Sequence, residues 1–347
     1  MLFFAGLMSL FAAGGVAMMV GSDMGSSDAD PDELPEDNDR DDAFDEMPDS
    51  LSLDLLDFES SDKLPGDFAQ TSDNNMIISG DALANDLSGD AGNDQINGYG
   101  GSDTIDGGPG HDTLHGGSGH DQIFGGPGQD LMHGEYGDDS LTGAAGNDSL
   151  YGHFGQDHLA GNDGDDVLFG GQDGDRLSGG AGNDALHGGY GDDTLSGDGG
   201  LDTLFGGPGN DTITGLDDGS QPGNDDTDYL NGGRGNDQIT VGAGDIVTSG
   251  AGSDSIVLGD WILQGERGEI MDFDPEEDHL LIVWDTLKTP EPDITVESDP
   301  QNSELTRITA NGQDIAVLRG GSAIQLSDIT LIAQDGIPPP LGNASSG

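Results

Sequence analysis

Residues 89–115 read GDAGNDQIN GYGGSDTID GGPGHDTLH, three successive copies of one nine-residue unit, G-x-x-G-x-D-x-U-x with U apolar. The unit repeats without a gap from Gly89 to Thr214, fourteen times. The first Gly is constant, and so is the Asp: Asp94, Asp103, Asp112, Asp121, Asp130, Asp139, Asp148, Asp157, Asp166, Asp175, Asp184, Asp193, Asp202 and Asp211. Two residues after each Asp stands an apolar side chain, from Ile96 and Ile105 through Met132 and Leu150 to Leu204 and Ile213. Compositional bias alone does not hold an Asp and an apolar residue in fixed phase for fourteen cycles.

A unit such as GGPGHDTLH, Gly107–His115, cannot be helical, because three glycines and a proline within four positions mark a turn. Its last three residues suffice for a very short strand with one inward apolar side chain. One unit buries too little to fold alone. Two back to back make a flattened coil, and stacked coils merge their Leu and Ile side chains into one core. The expected fold is therefore all-β, a parallel β-roll, or β-helix solenoid, of about seven coils stacked at ~4.8 Å.

Stacking sets the turn of each unit against the turn two units on, so Asp94 meets Asp112 and Asp112 meets Asp130. Carboxylates held this close need an opposite charge between them. Calcium fits, since it accepts six to eight oxygens in flexible geometry, and each turn offers an Asp plus backbone carbonyls. Magnesium demands a tight octahedron and fits poorly. About twelve gaps at two charges each would offset roughly 24 charges, against a formal net charge of -61. Without calcium the chain is expected to be expanded or disordered.

The imperfections are informative. Asp173 replaces the fourth-position Gly of GGQDGDRLS, and Ala144 and Ala145 dilute the glycines of the unit at Gly143. After an insertion around Leu216 to Pro222, Asp228 and Asp237, then Asp245 and Asp254 in shortened units, continue the ladder. Upstream, Asn85 stands where the Asp belongs, and Met76, Ile77 and Ile78 are expected to lid the first coil. The repeat region is assigned to 76–258.

Residues 1–21 are almost wholly apolar, long enough to span a bilayer as an anchor or to serve as an export signal with an atypical start. Either reading takes the repeats outside the cell. Residues 22–75 are intensely acidic early on and are expected to be a disordered linker, with a Leu-rich stretch at 51–58. Ordinary strands are expected at Ile256–Leu258, Trp261–Leu263, Glu269–Phe273, Leu280–Trp284 and Ile324–Ile332, with a hairpin about Asn311-Gly312. This 259–334 unit is expected to be a C-terminal β cap, and 335–347 a disordered tail. With no Cys, calcium has to do the cross-linking. Eight basic residues against 69 acidic ones exclude nucleic acid as a partner.

The repeats closely resemble the repeats-in-toxin, or haemolysin-type, calcium-binding family, unit by unit over 89–214 and more loosely over 76–258. The resemblance implies that the fourteen Asp residues hold multiple Ca2+ ions, and Asp228 and Asp237 are expected to join them as the continuation of the same ladder. It also implies a chain that stays unfolded in low cytosolic calcium and folds outside. EIMDFDPEEDHLLIVW, 269–284, is similar to the opening of the carboxy-terminal unit that follows such repeats. The apolar residues 1–21 depart from the family's usual one-step export.

No H-E-x-x-H and no G-x-S-x-G occurs, which removes two common hydrolase sites. Seven of the eight histidines occupy variable repeat positions and read as solvated surface, although His115 and His133 would lie over one another as a weak transition-metal pair. The expected function is calcium binding by an extracellular or cell-surface repeat protein with a non-enzymatic, structural or spacer role. The alternative is an adhesion or polysaccharide-binding module using Tyr99, Tyr136, Tyr151, Phe154 and Tyr190, and a secreted enzyme of the same family type is a third reading. Stacked aromatics would favour binding.

Overall fold

A computed structural model describes residues 67–70, 74–216, 227–259, 261–262, 267–287, 290–300, 302, 304–319 and 324–334. The segments 1–21, 51–58 and 335–347, and most of the acidic linker, lie outside them. The described chain is a two-faced parallel solenoid, with one sheet of 15 strands and another of 12.

Successive units alternate between the sheets. Strands Thr113–Ser118, Leu131–Tyr136, Ser149–Phe154 and Val167–Gln172 are parallel neighbours in one sheet, in the register Leu114↔Met132↔Leu150↔Leu168. Strands Gln122–Pro127, Ser140–Ala145, His158–Asp163 and Arg176–Ala181 do the same in the other, with Ile123↔Leu141↔Leu159↔Leu177. The two apolar files face each other, and Ile105, Leu114, Ile123, Met132, Leu150, Leu159 and Leu168 are all at 0% exposure. Most strands in the regular units run six residues rather than three, because the glycine turn itself pairs with the coil below: Gly171 aligns with His153, and Gly126 with Ala144.

The second position of the unit takes a left-handed backbone. Gly occupies it in many units, yet Glu135 (φ 79°), Ala144 (φ 83°) and His153 (φ 80°) adopt it too. The dilution of glycine at Ala144 therefore leaves the coil intact.

The insertion does not break the stack. Leu204 aligns with Leu230 and Ile213 with Ile239, so the pairing of the described strands keeps its phase on either side of it. Met76–Ser79 is a strand of the first coil, not a lid: Ile78 aligns with Ile96 and is buried, while Ile77 is exposed, as alternation requires. An antiparallel strand, Asp67–Gln70, covers it, inside the stretch expected to be linker.

At the far end Gly268–Ile270 pairs in parallel with Ile246–Ala251, and His279–Asp285 with Ser255–Gly259. Gln313–Arg319 adds to the first sheet and Ile329–Gln334 to the second. Leu305–Ala310 and Ile294–Ser298 then close the first sheet as an antiparallel meander. Asn311 (φ 52°) and Gly312 (φ 79°) form the expected hairpin turn. Trp261 and Ile262 form a turn rather than a strand, since the Trp261 indole N–H is committed to the carbonyl of Val241 at 2.9 Å. Ile324–Ile332 holds a 3-10 turn at Leu326–Asp328 and one strand.

Candidate metal centre

Each repeat Asp sits just before its strand, and burial brings it to the rim of the core. Its own carbonyl accepts the amide that opens the strand one coil on, as in Thr113 N–H to Asp94 O at 2.8 Å. Its amide donates to the Asp one coil on: Asp94 to Asp112 Oδ1 at 2.7 Å, Asp112 to Asp130 at 2.8 Å, Asp130 to Asp148 at 2.8 Å. These contacts make two ladders. One edge carries Asp94, Asp112, Asp130, Asp148, Asp166, Asp184, Asp202, Asp228 and Asp245. The other carries Asp103, Asp121, Asp139, Asp157, Asp175, Asp193, Asp211, Asp237 and Asp254. All the Asp residues expected from the sequence are thus in the ladders, including those beyond the insertion.

Sequence reasoning missed a rung. Asp254 donates its amide to Asp278 Oδ1 at 3.1 Å, so Asp278 continues the second ladder into the C-terminal unit. The signal was present, because Asp278-His279-Leu280 keeps the D-x-U spacing without the glycine turn. At the top, Asn85 keeps the amide contact, to Asp103 Oδ1 at 2.7 Å, but turns its own Oδ1 to the amide of Asp81.

One oxygen of each pair is thereby satisfied. The second, Oδ2, is buried with no protein partner from Asp94 through Asp193 along both ladders, and again at Asp211, Asp237 and Asp254. An unpaired buried carboxylate oxygen costs several kcal/mol, at about the scale that an ion must offset. The first Gly leaves room beside it: a Cβ at Gly89 would lie 2.3 Å from Asp94 Oδ2 and 2.5 Å from the carbonyl oxygen of Gly107. The same cradle recurs at Gly152, 2.2 Å from Asp157 Oδ2 and 2.7 Å from Gly170 O. The donors there are all oxygen, and they come from two coils. Among the described residues no three His, Asp or Glu side chains surround a ready metal site; calcium here would draw on carbonyls as well as Asp, so a side-chain cluster is not required.

Burial pushes the carboxyls up, to about 6 at Asp112, Asp157, Asp166, Asp193 and Asp211, and about 7 at Asp130, Asp139, Asp184 and Asp237. Asp175 reaches about 8 by burial, with Asp157, Asp193 and Asp173 adding to the rise against the pull of one amide donor. These folded values exceed the unfolded one, so protonation stabilises the calcium-free fold below about pH 4, and that stability is lost as pH rises through about 6 to 8. Calcium-free protein should therefore show more sheet by far-ultraviolet circular dichroism at pH 4.5 than at pH 8. Equal or reversed signals would contradict the burial of these carboxyls.

The aromatic residues are stacked, but on one another. Tyr136 and Phe154 lie 4.9 Å apart at 5°. Tyr151 belongs to a different file, with His133 at 4.9 Å and 14° and Phe169 at 5.2 Å and 6°. Tyr190 aligns with Gln172 and so is separated from Phe154, and Tyr99 is exposed. Tyr151 is covered on both faces, whereas Tyr136 and Phe154 each have one ring neighbour and stay exposed.

A family model described as RTX calcium-binding nonapeptide repeat (4 copies) matches residues 79–114, 106–141, 115–150, 133–168, 151–186, 169–204, 187–219 and 222–256, just over half of the chain. No curated protein matches. Among solved structures, the extracellular lipase LipA from Serratia marcescens is similar at 18% identity over 59% of this chain and 40% of that one, with a TM-score of 0.20. The chain thus spans well under half of that lipase's length, and nothing of the lipase's activity is carried over. The aligned nonapeptides, with their constant Gly and Asp, place the chain in the RTX calcium-binding nonapeptide repeat family.

Proposed function

We propose that this protein is a calcium-folded extracellular repeat protein with a structural or spacer role, in which the Asp ladders bind the ions. The observation that carries the reading is the line of buried Oδ2 atoms without a protein partner, most of them beside a glycine cradle and many also beside a carbonyl oxygen of the next coil. The ligands are Asp94, Asp103, Asp112, Asp121, Asp130, Asp139, Asp148, Asp157, Asp166, Asp175, Asp184, Asp193, Asp202, Asp211, Asp228 and Asp237, with Asp254 extending the series and Asp278 ending it. An acidic chain of this kind suits an exterior where calcium is abundant, and family membership supports that location. Among the described residues no helix is long and apolar enough to cross a membrane, and attachment through 1–21 rests on sequence alone.

The alternative, polysaccharide binding, draws on the stacked and exposed Tyr136–Phe154 pair and on the exposed Tyr99 and Tyr190, whereas Tyr151 is sandwiched between His133 and Phe169. Calorimetric titration of calcium-depleted full chain tests the main reading. About twelve ions are expected for the regular units, one per gap between stacked turns on each of the two edges. Uptake of only one or two would overturn the ladder assignment.

A further inference from the structure

Outside each Asp ladder runs a second one, made by the residue just before the Asp. The amide of His111 donates to Asn93 Oδ1 at 3.1 Å, that of Gln129 to His111 Nδ1 at 2.8 Å, and that of Asp165 to Asn147 Oδ1 at 3.2 Å. On the other edge the amide of Asp138 donates to His120 Nδ1, that of Gln156 to Asp138 Oδ1 and that of Asn210 to Asp192 Oδ1, at 2.8–2.9 Å. These contacts run opposite to the inner ones. In the inner ladder the amide of one coil reaches the carboxylate of the next, as Asp148 N–H reaches Asp166 Oδ1 at 2.7 Å, whereas in the outer ladder the amide of the next coil reaches back, as Asp165 N–H reaches Asn147. Two stacked turns are thus clasped reciprocally.

The outer contact follows the length of the side chain. Through the regular units every Asn, Asp, Ser and His at this position accepts the amide one coil on. Gln129, Gln156, Gly174 and Leu201 do not. Ser places its acceptor one bond past Cβ and Asn, Asp and His two bonds past it, while Gln carries it one methylene further and Gly and Leu have none. On the second edge two interruptions are successive, at Gln156 and Gly174, so the turns of Asp157, Asp175 and Asp193 are tied by inner contacts alone, at 2.8 Å each. There Asp173 (φ 72°) and Gly174 reverse the usual order of Gly and polar residue, and Gln156, Asp173, Arg176 and Asp192 line a cleft that reaches Asp175.

We propose that the residue before each ladder Asp is a positioning residue for calcium, and that the doubly interrupted stretch at Gln156 and Gly174 is where the rod first loses its ions as calcium falls. The inference rests on the calcium reading of the Asp ladders. An ion between two turns needs oxygens from both held at a steady separation. Where the inner contact is the only tie between turns, the carboxylate that fixes their spacing is also the one that must bind the ion. An outer acceptor fixes the spacing without drawing on a ligand.

Hydrogen exchange of the full chain, read residue by residue by nuclear magnetic resonance during a calcium titration, tests the clasp. In saturating calcium the amides of Asn147, Gly174 and Asp192 should be about tenfold less protected than those of Gln129, Asp165, Asn183 and Asn210. As calcium is lowered, protection should disappear first around Asp175. Asn147 is exposed, so its substitution leaves the core alone. Asn147→Gln should make the Asp165 amide exchange about tenfold faster and raise the calcium concentration that half-protects the Asp148 and Asp166 turns. Asn147→Ser, which keeps an acceptor within reach, should reverse both effects. Circular dichroism in calcium verifies equal sheet content, and the wild-type comparison decides by itself should a variant fold poorly. Even protection across the two sets of wild-type amides, protection lost first elsewhere, a folded Asn147→Gln chain that behaves as wild type, or a defect that Asn147→Ser does not reverse would overturn the proposal while leaving calcium binding in place. Wild-type protection that ignores calcium would overturn both.

Discussion

Withdrawal of calcium from the full chain at pH 7.5 should abolish most of its β-sheet circular dichroism, and calcium but not magnesium should restore it cooperatively. The expectation rests on magnitudes. A single ion present at a hundred times its dissociation constant stabilises the folded state by about 2.7 kcal/mol, so a dozen such sites contribute about 30 kcal/mol. A typical domain has only about 5–15 kcal/mol to lose. Without the ions, the buried Oδ2 atoms of Asp112, Asp130, Asp148 and their counterparts have no partner, and neighbouring carboxylates raise each other's pKa. A core of one Leu or Ile per unit cannot offset that along the whole rod. Cooperativity follows from the contacts, because each ladder contact joins an amide of one coil to a carboxylate of the next. A chain that keeps its sheet signal in a chelator at this pH, or recovers it equally in magnesium, would remove calcium from the account of folding.

Much of this was legible in the sequence because the repeat has one phase and one physical solution. A buried Leu every nine residues forces two alternating sheets, and a constant Asp two residues earlier forces two ladders. The continuation from Asp202 to Asp228 across the insertion was readable for the same reason, since only the D-x-U spacing has to survive. Asp278 was not read, because its unit has lost the glycines that flag the turn. Met76–Ser79 was taken for a lid since apolar residues at a terminus fit either role, and only pairing with Gln95–Asn97 distinguishes them. The aromatic positions were placed correctly by register for Tyr136 and Phe154, but whether rings stack on one another or spread toward solvent depends on rotamers. The contacts of His115 with Glu135 and of His133 with His153 join the last position of one unit to the second position of the unit three on, a diagonal that the nine-residue phase does not display.

Gly152→Ala should cost more than its single methyl suggests, about 3–5 kcal/mol by the combined measure of an overpacked site and a lost ion. Gly152 is not held in the left-handed region, unlike Gly155 or Gly171, so its requirement is for room rather than for backbone freedom. The new methyl would lie 2.2 Å from Asp157 Oδ2 and 2.7 Å from Gly170 O, and so would displace oxygens of two successive coils together. The neighbouring second position is different. His153 already bears a side chain there at φ 80°, so His153→Gly relieves about 1 kcal/mol of strain at most and leaves the cradle alone. The two substitutions are adjacent, solvent-side in one case and ladder-side in the other, and they separate steric room from backbone strain. In calcium titrations followed by circular dichroism, Gly152→Ala should raise the calcium concentration needed for half-folding severalfold and lower the number of ions bound, whereas His153→Gly should do neither. If both behave like the wild type, the first glycine is not a cradle, and its constancy through fourteen units needs another cause.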